Sequence, residues 1–282
     1  MKREMINMIN QHFSGRVRSA IVPLAILAMW AANGGYPVLA QTSDQPTFRS
    51  TAEASQTLFQ AVQSNNEEAI AKILGGPTEL TSSRDPGQDK VDRELFVQKY
   101  QEMHRLGRDA DGSVTLYIGA ENWPFPVPLV ATKGAWHFDP DAGAQEVTFR
   151  RIGDNELTAI ATCHEFVAAE RRYRTDPKTA EPADISVASL VAKAATGSTA
   201  PDPVLLHGYY FRMLPMVGGA GQGTGRFTLI AYPEEYRSSG VMTFVIIAND
   251  VVYEKDLGAN TSSLASAMAA FHKDATWHTA DE

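Results

Sequence analysis

Apolar residues first recur at helical spacing shortly after position 50. Ser50-Thr51-Ala52-Glu53 reads as a capping box, with Ser50 as N-cap and Glu53 three residues on. Ala54, Leu58, Ala61 and Val62 then fall on one face of a helix. A second short helix, 67–74, stops at Gly75-Gly76-Pro77, where glycine permits left-handed geometry and proline cannot continue. Val91, Leu95, Tyr100 and Met103 mark a third helix running to about Leu106. The period then shortens to two. Residues 113–119 predict a strand, and 125–131, with prolines close by, an edge strand. Residues 134–138 complete a small meander. Residues 143–151 and 154–174 read as two helical stretches broken at Gly153.

The C-terminal part carries the stronger extended pattern. Residues 208–214, 226–232, 240–247 and 251–256 are dense in β-branched and aromatic residues. In the run Val241-Met242-Thr243-Phe244-Val245-Ile246-Ile247 both faces are apolar, which predicts the central strand. Asn249-Asp250 supplies the next turn, because both side chains tolerate left-handed backbone. A closing helix over 261–271 would cover one face with Leu264, Ala267, Met268 and Phe271. The fold class is therefore α+β: N-terminal helices with a small antiparallel meander, then a four-stranded antiparallel meander with a closing helix. A Pro- and Ala-rich stretch over 175–204, holding one weak helix, separates an N-terminal region 41–174 from a C-terminal region 205–282.

The first forty residues have a different character. Lys2, Arg3, Arg16 and Arg18 precede an apolar run over 20–32, and the stretch ends Val38-Leu39-Ala40. That pattern predicts a secretory signal cleaved after Ala40. Thirteen apolar residues make a helix of roughly 20 Å, short of a hydrocarbon core of roughly 30 Å, so no stable membrane span is expected after cleavage. Losing four bases and one acid takes the formal charge from -8 to -11. A periplasmic or secreted protein of that acidity is not expected to bind nucleic acid, which needs clustered cations. The single cysteine, Cys163, excludes an internal disulfide framework and reads as a buried, inert thiol.

Several segments together resemble the bacterial family known as domain of unknown function 2950. They are Trp123-Pro124-Phe125-Pro126-Val127-Pro128-Leu129, Trp136-His137-Phe138-Asp139, Arg150-Arg151-Ile152-Gly153-Asp154-Asn155-Glu156-Leu157, His207-Gly208-Tyr209-Tyr210-Phe211-Arg212, Ser239-Gly240-Val241-Met242-Thr243-Phe244 and Val251-Val252-Tyr253-Glu254-Lys255-Asp256-Leu257-Gly258. The resemblance implies an exported protein of Gram-negative bacteria, with no reaction or catalytic residue to carry over. Two departures stand out. A charged, proline-rich stretch, Asp176 to Ala183, replaces an aromatic Tyr-Trp-Pro segment, and Asn249-Asp250 stands where the family turns on Asp-Gly.

No catalytic residue, metal site or cofactor is indicated. Gly218 to Gly225 lacks dinucleotide and Walker spacing and leads into a strand, so it reads as a hairpin loop. Asp139-Pro140-Asp141 with Glu146 lacks the full ligand set of a calcium loop and reads as a helix N-cap. Arg150, Arg151, Asn155 and Glu156 can clamp a carboxylate-bearing ligand or lock Gly153 as an interdomain corner. Trp123 and Phe125 can offer a partner surface or form a lid on the N-terminal helices. Tyr209 and Tyr210 can touch a ligand or simply be half-buried strand residues. Two functions remain open. One is a non-catalytic module that binds another envelope protein through its β-rich surface. The other is a small-molecule binder or hydrolase, its pocket in the N-terminal half and His137, Arg151 and Glu156 near the mouth.

Overall fold

In the computed structural model, residues 45–76, 80, 86–175, 187, 190–191, 203–214 and 228–280 are described. They form two compact units that divide between Val147 and Thr148. The expected leader 1–40 and glycine-rich loop 218–225 lie outside the described residues, as does nearly all of the linker 175–204.

The first unit opens as its capping box dictates. Ser50 Oγ accepts the Glu53 N–H at 3.1 Å, and the Glu53 carboxylate accepts the Arg49 N–H at 2.9 Å. Helix α1 spans Thr51–Gln63 and α2 spans Glu67–Leu74, which ends on a left-handed Gly75. Helix α3 spans Pro86–Glu102. It does not continue to Leu106. Residues His104–Arg108 form strand β1 instead, paired antiparallel with β2, Val114–Ile118. The Gly119 N–H donates to the carbonyls of Lys99 and Met103, satisfying helix-end acceptors that would otherwise need another turn.

Strand β3 is only Trp123–Pro124; β4 is Leu129–Thr132 and β5 is Ala135–Phe138. The edge strand expected over 125–131 is thus interrupted, since Pro126 and Pro128 have no N–H to give a ladder. The sheet order is β1-β2-β4-β5, with β3 on β2. Alternation aims Val114, Leu116 and Ile118 at the helices, where they meet Leu58, Phe96 and Tyr100.

Helix α4, Pro140–Thr175, is continuous over 36 residues. The Asp139 carboxylate starts it, accepting the N–H groups of Asp141 and Ala142 at 3.1 and 3.0 Å. The break expected at Gly153 does not occur. An interior glycine costs a helix about 1 kcal/mol, which the packed turns from Ala159 onward outweigh. The corner reading of Gly153 fails with it.

In the second unit, Ala159, Cys163, Phe166 and Val167 of α4 share a core with a six-stranded antiparallel sheet. Its strands are β6 (Val204–Leu206), β7 (Tyr209–Leu214), β8 (Thr228–Pro233), β9 (Met242–Ile247), β10 (Val252–Asp256) and β11 (His278–Thr279). The order is β11-β10-β9-β8-β7-β6. The four strands expected from the pattern are all present. The flanking β6 and β11 escape it because two or three residues carry no readable period. Sharing of α4 with this sheet explains why the units divide at 147, whereas the composition change falls at 175–204.

Both faces of the sheet are covered. Tyr209, Phe211, Leu229, Phe244 and Ile246 face α4, joined by helical residues Val187, Leu190 and Val191. Ile230, Tyr232, Val245 and Tyr253 face α5, Thr261–Ala267, and the segment through Trp277. The closing helix is shorter than the pattern expects and turned: Ala265 is buried, whereas Leu264 is half exposed. Arg212 of β7 fixes that end, its guanidinium donating to the carbonyls of Ala265 and Met268 at 2.7 and 2.9 Å.

One buried charge in the first unit generates a test. Asp92 on α3 is 1% exposed, and neither carboxylate oxygen has a hydrogen-bond partner among the described residues. Burial first, and the neighbouring Asp89 second, push its carboxyl up to about 7, against a smaller lowering by Arg93. The native state therefore keeps a proton that the unfolded chain releases near pH 4. Stability from this group is full below about pH 4 and falls steadily to about pH 7. Melting temperature should drop across that window. Asp92→Asn should flatten the profile and melt higher than the wild type at pH 8.

Candidate functional site

The polar residues singled out in α4 converge on one loop of their own unit. The turn between β6 and β7 is His207-Gly208, both with positive φ (46° and 75°), which suits the right-handed twist of a two-residue hairpin. A Cβ on Gly208 would come within 2.8 Å of Asn155 Nδ2. Between β8 and β9 the chain loops through Ser238-Ser239-Gly240. There Arg151 Nε donates to the Ser238 carbonyl at 3.0 Å, and Asn155 Nδ2 to the Ser239 carbonyl at 2.8 Å. Glu156 Oε1 accepts the N–H groups of Val241 and Met242 at 2.9 and 3.0 Å.

Beneath this loop stands Tyr209. Its hydroxyl donates to the Met242 carbonyl at 3.0 Å and lies 3.5 Å from Glu156 Oε1. Burial first, then the Glu156 charge, hold the phenol well above its ordinary range, so it stays a donor. A Cβ on Gly240 would fall within the Tyr209 phenol, so only glycine fits.

A second clasp lies further along α4. His164 Nδ1 is 2.9 Å from Asp250 Oδ1, while Arg171 donates to Asp250 Oδ2 at 3.3 Å and to the Ala248 carbonyl at 3.2 Å. Asp250 occupies the left-handed region (φ 69°) in the β9–β10 turn. The side chain whose Cβ makes left-handed backbone costly there also ties the turn to the helix through its carboxylate. Cys163, beside His164, is fully buried, and burial raises its thiol well above the ordinary range. It is not a thiolate nucleophile at neutral pH.

The remaining sites lie apart. Trp123 is 5% exposed in the core of the first unit, and Phe125 sits edge-on to Phe96, Trp123 and Phe138. That is the lid on the N-terminal helices, not an open surface. His137 lies opposite Val130 on β4, half buried, its Nδ1 without a hydrogen-bond partner among the described residues. Tyr210 faces the other side of the second sheet, beside Tyr232 at 5.6 Å between ring centroids. Of the seven candidate residues, the structure brings Arg151, Glu156 and Tyr209 onto one loop. The His164–Asp250–Arg171 clasp and Arg212 went unread, although His164 and Arg171 lie seven residues apart on one helix face.

A shallow recess of about 250 Å³ lies on the first unit, its lining including Val62, Asn65, Arg93, Glu94, Val97 and Gln98. Arg93 is braced there by Asn65 Oδ1 and the Glu67 carboxylate, each at 3.0 Å. His137 does not line it. Among the described residues no helix is long and apolar enough to cross a membrane.

The model of a family described as a protein of unknown function (DUF2950) matches residues 45–186 and 177–280. Neither a curated protein nor a solved structure matches the chain.

Three substitutions test the clasp by urea unfolding. Glu156→Ala strands two backbone N–H groups and should lower stability by about 3 kcal/mol. Gly240→Ala should cost about as much through overpacking against Tyr209. Gly153→Ala meets open space and should be neutral or stabilise by about 1 kcal/mol; a loss comparable to that of Glu156→Ala would restore a special role for Gly153.

Proposed function

The chain belongs to the DUF2950 family, and we propose that it is an exported envelope protein acting by binding another protein. One observation carries this reading. The polar groups most suggestive of a ligand clamp, Arg151, Asn155 and Glu156, hold backbone groups of the 238–242 loop instead. Their chemistry goes into keeping a sheet rigid, which suits a surface for recognition. Export rests on the basic N-terminal region, the apolar run 20–32 and the Val38-Leu39-Ala40 ending.

A second reading, a small-molecule site in the N-terminal half, is favoured by the recess beside Arg93, which offers a guanidinium held by Asn65 and Glu67, the Glu94 carboxylate and glutamine amides as polar anchors. Its place on α1 and α3 differs from a pocket around His137.

Native mass spectrometry of the protein purified from its host's envelope separates the two. The expected spectrum shows a chain beginning at Gln41 with a second protein at fixed stoichiometry. A bound small molecule without a protein partner would favour the recess. A chain that retains residues 1–40 in the cytoplasm would overturn export.

A further inference from the structure

Strand β1, His104–Arg108, is an edge of the first sheet and pairs only with β2 among the described residues. Its hairpin is closed by the Asp109 N–H donating to the Ser113 carbonyl at 2.9 Å. Antiparallel alternation from that bond turns the N–H and C=O of Arg105 and Gly107 toward β2, and those of Leu106 and Arg108 toward the open edge. His104, Arg105 and Arg108 are exposed, while Leu106 is half buried. An open edge with backbone donors and acceptors is a template for one more strand.

Charge selects the occupant. Arg105 lies with its guanidinium 4.0 Å from the Tyr117 ring centroid and donates through Nε to Asn122 Oδ1. Arg108 donates to the Gly112 carbonyl at 3.2 Å and reaches over Trp136. Both cations are therefore held in place on opposite faces of the edge, which reduces the entropy lost on binding. The acids of the hairpin are turned into it, Asp109 accepting from the Thr115 hydroxyl and Asp111 from the Ser113 N–H and hydroxyl, while Glu102 and Glu121 pair with Lys99. A second copy of β1 is a poor partner. Antiparallel self-pairing centred on Arg105 would set that cation against its own copy, and like charges across a ladder repel, while pairing centred on Leu106 would offer neither Arg105 nor Arg108 a carboxylate.

We propose that the β1 edge binds an extended acidic segment of another protein as an added strand, with carboxylates three residues apart opposite Arg105 and Arg108. This rests on the protein-binding reading above and names its surface and the chemistry of its partner.

The test measures fluorescence anisotropy of labelled eight-residue peptides added to the purified protein. One peptide carries two aspartates three residues apart among threonine and valine, and its twin carries lysines there. A third repeats the acidic sequence with alternate amides N-methylated. The acidic peptide should bind at least tenfold tighter than either of the others. Arg105→Glu/Arg108→Glu should reverse the preference toward the lysine twin. If that variant does not fold, Arg105→Gln/Arg108→Gln should abolish the preference with the circular dichroism unchanged. Equal binding of the N-methylated peptide, or no binding of the acidic one at millimolar concentration, overturns the proposal.

Native mass spectrometry separates its failure from that of the underlying reading. A partner retained by the charge-reversed variant overturns the β1 edge alone. Absence of any protein partner from the wild type overturns the binding reading itself.

Discussion

A sheet whose middle strands are apolar on both faces must be covered on both, and this requirement organises the second unit. Burying a large apolar side chain stabilises by about 2–3 kcal/mol, and Phe244, Ile246, Leu229 and Phe211 all look to one face. The C-terminal half of α4, with Val187, Leu190 and Val191, supplies that cover. The opposite face receives the short α5 and the aromatic segment ending in Trp277. Arg212, reaching from β7 to the last carbonyls of α5, holds that second cover in place.

Covering a sheet does not by itself order its loops, whose backbone groups need partners of their own. The polar side chains of α4 answer this at two places. Arg151, Asn155 and Glu156 take four backbone groups at residues 238–242, and His164 with Arg171 takes the Asp250 turn. Hydrogen bonds to buried charged groups are worth about 1.5–3 kcal/mol each, which makes the Glu156 pair the stronger tie, whereas the exposed His164–Asp250–Arg171 clasp contributes about 1 kcal/mol or less. The segments 150–157, 207–212 and 239–244, which carry the family resemblance, meet at the first clasp. Their physical role there is architecture: glycine where Tyr209 needs room, a carboxylate where two N–H groups would otherwise be orphaned.

The first unit follows the same logic with fewer polar ties. Three helices cover one face of a small sheet, and the proline-interrupted Trp123–Phe125 segment seals the core with edge-on aromatic contacts. Among the described residues β1 is left as an open edge of that sheet.

Much of this was legible in the residues. Local signals determined the capping box at Ser50, the left-handed end at Gly75, the four main strands of the second sheet and the Asn249-Asp250 turn, because each depends on neighbours within about four positions. The burial of Cys163 is the ordinary state of an unpaired cysteine on a helix. Other features were decided only in three dimensions. Whether Gly153 broke a helix depended on the sheet beneath the turns that follow it, from Ala159 onward. Whether 104–108 continued a helix depended on β2 offering a ladder. Arg151 and Glu156 had the chemistry of a ligand clamp in the sequence, and what they grip lies more than eighty residues away. Charge and hydrogen-bonding capacity are properties of a residue, whereas the group that satisfies them is fixed by the path of the folded chain.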